Sequence, residues 1–577
     1  AGLRKEALVK EYEGKPGYRW ILLEEIFPSF PAPQEELRTV PNDFVVRMPW
    51  GYCGNEIWNT SRRAEIAVLT AERLAAIGHM IGGRDHRREL EQAWKNLLVA
   101  QHHDIQICGL LPDARTFLPK SIEASEDVTK AALKFLASRM SGDRPQVVVF
   151  NPVSWSRKEW VQVPVSLPRG WARCLEVRHD DRLAPSAVLS ADLHSDGSLR
   201  DVNLGIEANL PGLSAASYAL TPAAADSAAG SGILQVDPEN LSITTPHLQV
   251  RFHPDGGLSA LVDKRTGREW IQAGKRSGFF AGRIDDKDVQ SKGTWALRCA
   301  PDGAPWATAC ENGFVGGIPY TFRMKIHCDS PRIDCWVRFH FAGERIGRVS
   351  TNTRDPVSGF VHEDKLRFKM FPAVKSGEAV GVRDLPFAVS ETADRYVNGL
   401  YWTALADGDN GLAFFNRGTM GAVCEEDGGF SMPLAYAMYY IWGTRMLNGD
   451  FTYEFAVRPF TGSWQSTDLH REAIEYNYWP AALYAATGEG EYGATIQPLT
   501  MSPSVPIVSA FYNIGNDIYV RFYEHEGRTR RASLESPLGK LHLTEVDLAG
   551  REQRVLSGPL ELAPWQIKTV RIRFGNN

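Results

Sequence analysis

The spacing of apolar residues changes once along this chain, near Gly142. Before that point it is helical. Ala64, Ala67, Val68, Ala71, Leu74 and Ala75 form one stripe, and Leu90, Trp94, Leu97 and Leu98 form a second at i, i+4, i+7 and i+8. Val128, Ala131, Ala132, Phe135 and Leu136 make a third. The stripes predict helices over about 60–80, 85–103 and 121–141. Asn59, Thr60 or Ser61 would cap the first, Gly78 and Gly82-Gly83 would close it, and Asp85 would open the second. Three such helices with short connections predict a small antiparallel bundle.

After Gly142 the pattern becomes short alternating or β-branched runs between Asn-Pro, Asp-Gly and Gly-Gly turns. Val147–Phe150, Leu248–Phe252, Leu258–Val262, Phe322–Ile326, Cys335–Phe341, Leu412–Phe415, Ile518–Tyr523 and Ile567–Phe574 are the clearest strands. So long a β pattern implies large stacked antiparallel sheets, one sandwich or several. Ser214–Gly232, rich in alanine, glycine and serine, reads as a flexible joint between two β regions. Residues 1–56 are broken by Pro28, Pro31, Pro33 and Pro41, with Trp20–Leu23 as a short apolar run and Val45–Trp50 as one further strand. They read as a connecting segment, too small to bury a core alone. The expected order is therefore 1–56 connection, 57–142 three-helix bundle, 143–235 small β-sandwich and linker, 236–490 large sandwich, and 491–577 C-terminal sandwich. The fold class is mainly β with a small α domain.

Composition narrows the partners. A net charge of −5 over 577 residues carries no nucleic-acid or membrane signature, and no apolar run nears the eighteen residues of a membrane span. The start, Ala1-Gly2-Leu3-Arg4-Lys5, has no secretory h-region, so the cytoplasm is the expected compartment. Homo-oligomerisation stays open. The eight cysteines lack CxxC spacing; Cys328 and Cys335 flank a turn where they would face each other across a hairpin, or remain reduced thiols.

Candidate chemistry gathers at Gln101-His102-His103-Asp104, where the second helix is due to end. Imidazole is a good zinc or iron ligand and a nearby carboxylate can fix its tautomer. A histidine pair satisfied by backbone carbonyls at a helix end is the structural alternative. The aromatic groups Tyr401-Trp402, Tyr439-Tyr440 with Trp442, and Tyr476-Tyr478-Trp479 read either as core packing or as platforms for pyranose rings.

The ordered set of these segments resembles glycoside hydrolase family 38, the α-mannosidases. AWKNLLVAQHHDIQICGLLPDA matches the family's Trp-x-x-Leu-Leu-x-x-Gln-(His or Phe)-His-Asp, and VVVFNPVSW follows it. Gly257-Leu258 to Asp263-Lys264-x-x-Gly267, His362-Glu363-Asp364-Lys365-Leu366-Arg367, Val520–Glu524 and Pro564–Thr569 match further on. The resemblance implies a galactose-mutarotase-like supersandwich for the large β region and a zinc ligand at His103. It also implies a catalytic (β/α) barrel, preceding the bundle, that carries a His-x-Asp zinc pair, the nucleophile and the acid. None of His102-x-Asp104, His253-Pro254-Asp255 or His362-Glu363-Asp364 follows a barrel-type strand, so none replaces that pair, and no catalytic or cofactor-binding residue is assigned in this sequence. The expected function is the post-barrel part of a retaining α-mannosidase-like hydrolase. It would be inactive without the N-terminal catalytic domain or chain, with zinc as cofactor only when that part is present and a mannose-containing glycan as substrate. The alternatives are a non-catalytic carbohydrate-binding or scaffold protein of the same architecture, or a sandwich-fold lyase or epimerase.

Overall fold

A computed structural model describes residues 6–21, 25, 27–31, 57–102, 105, 111–223, 234–301, 303–348, 361–375, 377–437, 439–440, 443–444, 446–485 and 487–575. The chain forms two compact units, Ala1–Arg47 and Met48–Asn577. In the first, helix α1 (Glu6–Tyr12) is followed by a single 3-10 turn at Phe27–Ser29. Tyr18 packs edge-on against Tyr12 with ring centroids 4.7 Å apart, and Trp20 and Ile21 are exposed. The strand expected at Val45–Trp50 lies outside the described residues.

The second unit opens with three long helices: α2 (Ile57–Met80), α3 (Arg87–Ala100) and α4 (Leu111–Arg139). Val68, Ala71, Ala93, Leu97, Leu118 and Ile122 form their shared core. The predicted periodicity places α2 and α3 correctly, but several details differ. Asn59, Thr60 and Ser61 lie inside α2 rather than capping it, since the helix already runs from Ile57. α3 stops at Ala100, with Gln101 as its C-cap. α4 starts ten residues earlier than expected, because Pro112 falls in its first turn, where a missing N–H costs nothing. Gly78 lies inside α2 rather than closing it, and His86, not Asp85, is the N-cap of α3, but Gly82-Gly83 end α2 and Asp85 bonds to the first residue of α3. Gly82 takes a left-handed φ of +88°, Gly83 N–H reaches Gly78 O at 2.8 Å, and Asp85 Oδ1 accepts Arg87 N–H at 2.9 Å.

Among the described residues, the regular structure after Arg139 is sheet except α5 (Leu469–Asn477) and one 3-10 turn at His362–Asp364. All the strands predicted after Gly142 and named above form. The largest sheet has nine antiparallel strands, running in space from Lys292–Cys299 through Ile333–Ala342 and Asn448–Thr461 to Ala388–Thr392. Its alternation is legible in Ile333–Ala342, where Ile333, Cys335, Val337, Phe339 and Phe341 turn inward and Arg338, His340 and Ala342 outward. A six-stranded sheet centred on Leu366–Met370 and Phe430–Ala435 shares one apolar core with it, and the four strands from Gln235 to Asp263 join that core. A smaller pair of sheets buries Val147, Val149, Val163, Val177, Leu204 and Tyr218. A C-terminal five-stranded sheet, Ile507–Ile514 to Glu552–Leu556, packs with a three-stranded one and against the ends of α2 and α4.

Two readings need correction. Ser214–Pro222, the first part of the supposed joint, is a strand in the middle of the smaller sandwich, pairing with Gln146–Asn151 along one edge and Leu175–Arg178 along the other. Its alanines and serines are buried where two backbones pack closely, so small size here means tight packing rather than flexibility. Residues 224–233 lie outside the described residues. Cys328 and Cys335 do not face each other either: Cys335 is opposite Met324, and both thiols are free. Among the described residues no helix is long and apolar enough to cross a membrane.

Candidate functional site

The end of α3 is where sequence placed the metal chemistry. Gln101 caps the helix with its N–H on Leu97 O at 2.9 Å, and its side-chain amide lies 3.4 Å from Ser61 Oγ in the first turns of α2. His102 follows in a tight turn, its N–H on Val99 O at 3.2 Å and its carbonyl accepting Ile105 N–H at 3.0 Å. Its side chain is exposed. The chain therefore leaves the helical path one residue before His103. His103 and Asp104 themselves lie outside the described residues. Among the described residues, no group of three or more His, Cys, Asp or Glu side chains is placed to hold a metal ion. A lone imidazole does not make a zinc site, which needs several preplaced donors.

A second concentration of titratable groups lines a cavity of about 420 Å³ where α2, α3 and α5 meet the large sandwich and the C-terminal sheet. Glu72 enters from α2, with Trp94 Nε1 of α3 donating to its Oε1 at 3.0 Å. Burial pushes its carboxyl up to about 7, against the pull of Trp94 and Arg73. Asp384 enters from the large sheet; burial pushes it up to about 7 as well, although Trp402 and Tyr401 N–H groups oppose this. Its oxygens accept Tyr401 N–H at 2.9 Å and Trp402 N–H at 3.0 Å. Those bonds fold the chain at Tyr401-Trp402 and assign Asp384 a structural job. His470 on α5 accepts from Trp402 Nε1 at 3.2 Å through Nδ1, which leaves Nε2 to donate to Tyr523 Oη at 2.9 Å. Burial holds this imidazole well below its ordinary pKa, so it is a neutral core histidine joining α5 to the C-terminal sheet.

The other candidate motifs are structural, as expected. His253-Pro254-Asp255 is a turn, with His253 N–H on Gly257 O at 2.9 Å. His362-Glu363-Asp364 is the 3-10 turn before Leu366–Met370. Beyond it, Arg367 and Lys369 each reach Glu425 at 2.6 Å. Burial alone would raise the Glu425 carboxyl, but those two cations hold it at about 2. The aromatic groups divide. Tyr401, Trp402, Tyr476 and Tyr478 are core, while Trp479 is largely exposed; the side chains of Tyr439, Tyr440 and Trp442 lie outside the described residues. Sequence reasoning missed the side chains that gather around Trp479, namely Asn59, Arg62, Arg417 and Asn477. They come from three distant stretches, and only the aromatic itself was visible as a signal.

Three helices carrying a series of antiparallel sandwiches define the architecture. Within it, residues 513–570 match the model of the glycosyl hydrolases family 38 C-terminal beta sandwich domain. The whole fold is similar to a protein in the glycosyl hydrolase family 38 from Enterococcus faecalis, with a TM-score of 0.75 at 14% identity, covering 91% of this chain and 71% of that one. It is also similar to an alpha-mannosidase from Enterococcus faecalis V583, with a TM-score of 0.70 at 14% identity, covering 92% of this chain and 69% of that one. No curated protein sequence matches. The family 38 resemblance read from the sequence is thus met twice, by sequence in the last sandwich and by fold over most of the chain.

Proposed function

We propose that this chain is the part of an α-mannosidase-like retaining glycoside hydrolase that follows the catalytic barrel, and that His103 gives the assembled enzyme one zinc ligand. The observation that supports this most is the fold shared with the Enterococcus faecalis proteins over nine tenths of the chain, with Gln101-His102-His103-Asp104 at the end of α3. Retaining hydrolysis needs two carboxyl groups about 5–5.5 Å apart, one as nucleophile and one as acid. Asp384 is spent on backbone N–H groups and Glu72 on Trp94, so neither is offered as that pair. The nucleophile, the acid and the remaining metal ligands come from the barrel. Zinc, when bound, polarises and orients substrate oxygens. This chain contributes His103 and the sandwiches on which the barrel is mounted. The substrate is a mannose-containing glycan.

The test is reconstitution. The purified chain is mixed or co-expressed with a barrel polypeptide carrying the His-x-Asp pair, and aryl α-mannoside turnover and zinc content are measured. Activity and zinc that require both parts, and zinc that falls with His103→Ala, support the reading. A stable assembly whose zinc content ignores His103 overturns it.

A further inference from the structure

The C-terminal sheet turns one face toward α2 and α3. Strand Asp517–Tyr523 buries Ile518, Val520 and Phe522 in the sheet's own core, so alternation sends Tyr519, Arg521 and Tyr523 to the opposite face. There Tyr512, from the neighbouring strand, stacks on Tyr519 with ring centroids 5.3 Å apart. Tyr512, Arg521 and Tyr523 line the cavity of about 420 Å³ from this side, and Leu69, Glu72 and Trp94 line it from the helices. The volume lies within the roughly 300–1,000 Å³ of small-molecule sites.

Most of the charge around this cavity is already used. Glu65 lies 3.5 Å from Arg62 Nε, Asp384 accepts the Tyr401 and Trp402 N–H groups, and Arg73 donates to three carbonyls. Two groups are left. Trp94 holds Glu72 Oε1, whereas Oε2 carries no bond among the described residues. Arg521 Nε donates to Thr569 Oγ1 at 3.1 Å, which steers the guanidinium, and its Nη groups meet no carboxylate among the described residues. Both side chains are half-buried and open to the cavity rather than sealed from it. Arg521 is near enough to draw the Glu72 carboxyl down a little, yet the two form no ion pair. A lone cation entering would meet the field of Arg521, and a lone anion that of Glu72. A ligand carrying both charges satisfies both walls.

The rest of the lining is apolar, with Leu69, Leu400, Ile474 and Ile507 beside Trp94 and Phe387. Phe387 is placed at a cost. Strands Val380–Leu385 and Ala388–Thr392 are joined by Pro386-Phe387 alone, with Leu385 opposite Ala388. Phe387 has a φ of +68°, the left-handed position that a turn with proline first reserves for glycine. A bulky residue there is strained, and such strain gathers at ligand clamps. It sets the ring edge-on to Tyr523 at 5.5 Å and 38% exposed, at the rim of the cavity.

From this arrangement we infer that the cavity is a binding site for a free amino acid with a large apolar side chain, its ammonium on Glu72 Oε2, its carboxylate on the Arg521 guanidinium and its side chain beneath Phe387. The ammonium supplies the contact cation that Glu72 lacks. The site uses neither His103 nor a barrel, so it stands apart from the glycosidase reading.

The experiment titrates the full chain by calorimetry and ligand-observed NMR with L-phenylalanine, L-leucine and L-tryptophan. Two analogues each remove one charge: phenethylamine lacks the carboxylate and 3-phenylpropionate the ammonium. At least one of the amino acids is expected to bind, and each analogue to bind about tenfold or more weakly than the best of them. Glu72→Gln is expected to weaken the amino acid and phenethylamine but not 3-phenylpropionate, and Arg521→Gln to weaken the amino acid and 3-phenylpropionate but not phenethylamine. Phe387→Gly, which relieves the turn and removes the ring, is expected to weaken the amino acid without lowering the melting temperature. No binding by any of the three amino acids, a one-charge analogue that binds as tightly as they do, or an affinity that ignores either Glu72→Gln or Arg521→Gln overturns the proposal. The comparison of ligands on the unaltered chain decides the matter even where a variant fails to fold.

Discussion

Trp94 Nε1 of α3 donates to Glu72 Oε1 of α2 at 3.0 Å, tying two helices together over a cavity that pushes the same carboxyl up to about 7. The bond and the burial oppose each other. Burial wins, because the indole is a neutral donor whereas the desolvation acts on a full charge.

A pH-dependent stability follows. The folded chain holds the Glu72 proton more tightly than the unfolded chain, whose carboxyl has the ordinary value of 4.5. The folded state therefore loses stability as pH rises from about 4.5 to about 7, and the loss is complete above that. Glu72→Gln keeps an acceptor for Trp94 and removes the titration. Its melting temperature is expected to exceed that of wild type by more at pH 8 than at pH 5. Parallel curves, or a gain confined to pH 5, would refute the assignment.

Arg73, one residue on, faces a different problem. It is 3% exposed and donates to Pro152 O at 2.7 Å and to Val508 O and Ser509 O at 3.2 Å each. One guanidinium thus joins α2 to the start of the small sandwich and to the C-terminal sheet. Arg73→Met strands three buried carbonyls and is expected to cost about 3 kcal/mol or more in urea unfolding. Arg63→Met, which breaks only the exposed pair with Glu126, is expected to stay within about 0.5 kcal/mol. Equal effects would show that Arg73 is no cross-link.

The contrast explains what the sequence made legible. Repeating apolar positions report burial on one face of an element, so α2, α3 and strands such as Ile333–Ala342 were readable from their own residues. Ser214–Pro222 misled because alanine and serine pack closely in a sheet centre just as readily as they fill a linker. α5 was missed because nine residues give too little of a helical period. Of the Trp479 pocket only the indole was readable, since Asn59, Arg417 and Asn477 meet only through the fold. The His-His-Asp motif was plain in the sequence; what it lacked there was its partners.

Those missing partners set an activity prediction. The purified chain is expected to hydrolyse no aryl α-mannoside above background, with Glu72 and Asp384 of its cavity already engaged. Turnover that survives rigorous removal of host mannosidases, and that falls with Glu72→Gln or Asp384→Asn, would reveal a catalytic pair in that cavity and refute the barrel-dependent reading.

The last prediction separates a ligand from a structural histidine at position 103. A histidine that caps buried carbonyls would cost about 1–3 kcal/mol of stability when truncated, because its partners would lose their bonds. A ligand awaiting the barrel leaves nothing unpaired in this chain. His103→Ala is therefore expected to change the unfolding free energy of the chain alone by no more than about 0.5 kcal/mol. In the assembled enzyme the same variant removes a metal donor. Zinc affinity is expected to fall by more than the roughly 10–100-fold seen when only supporting groups are lost. His102→Ala, at the exposed position in the turn after α3, is expected to spare both quantities. A chain destabilised by His103→Ala on its own, with zinc retained after assembly, would make His103 a structural residue and move the metal site elsewhere.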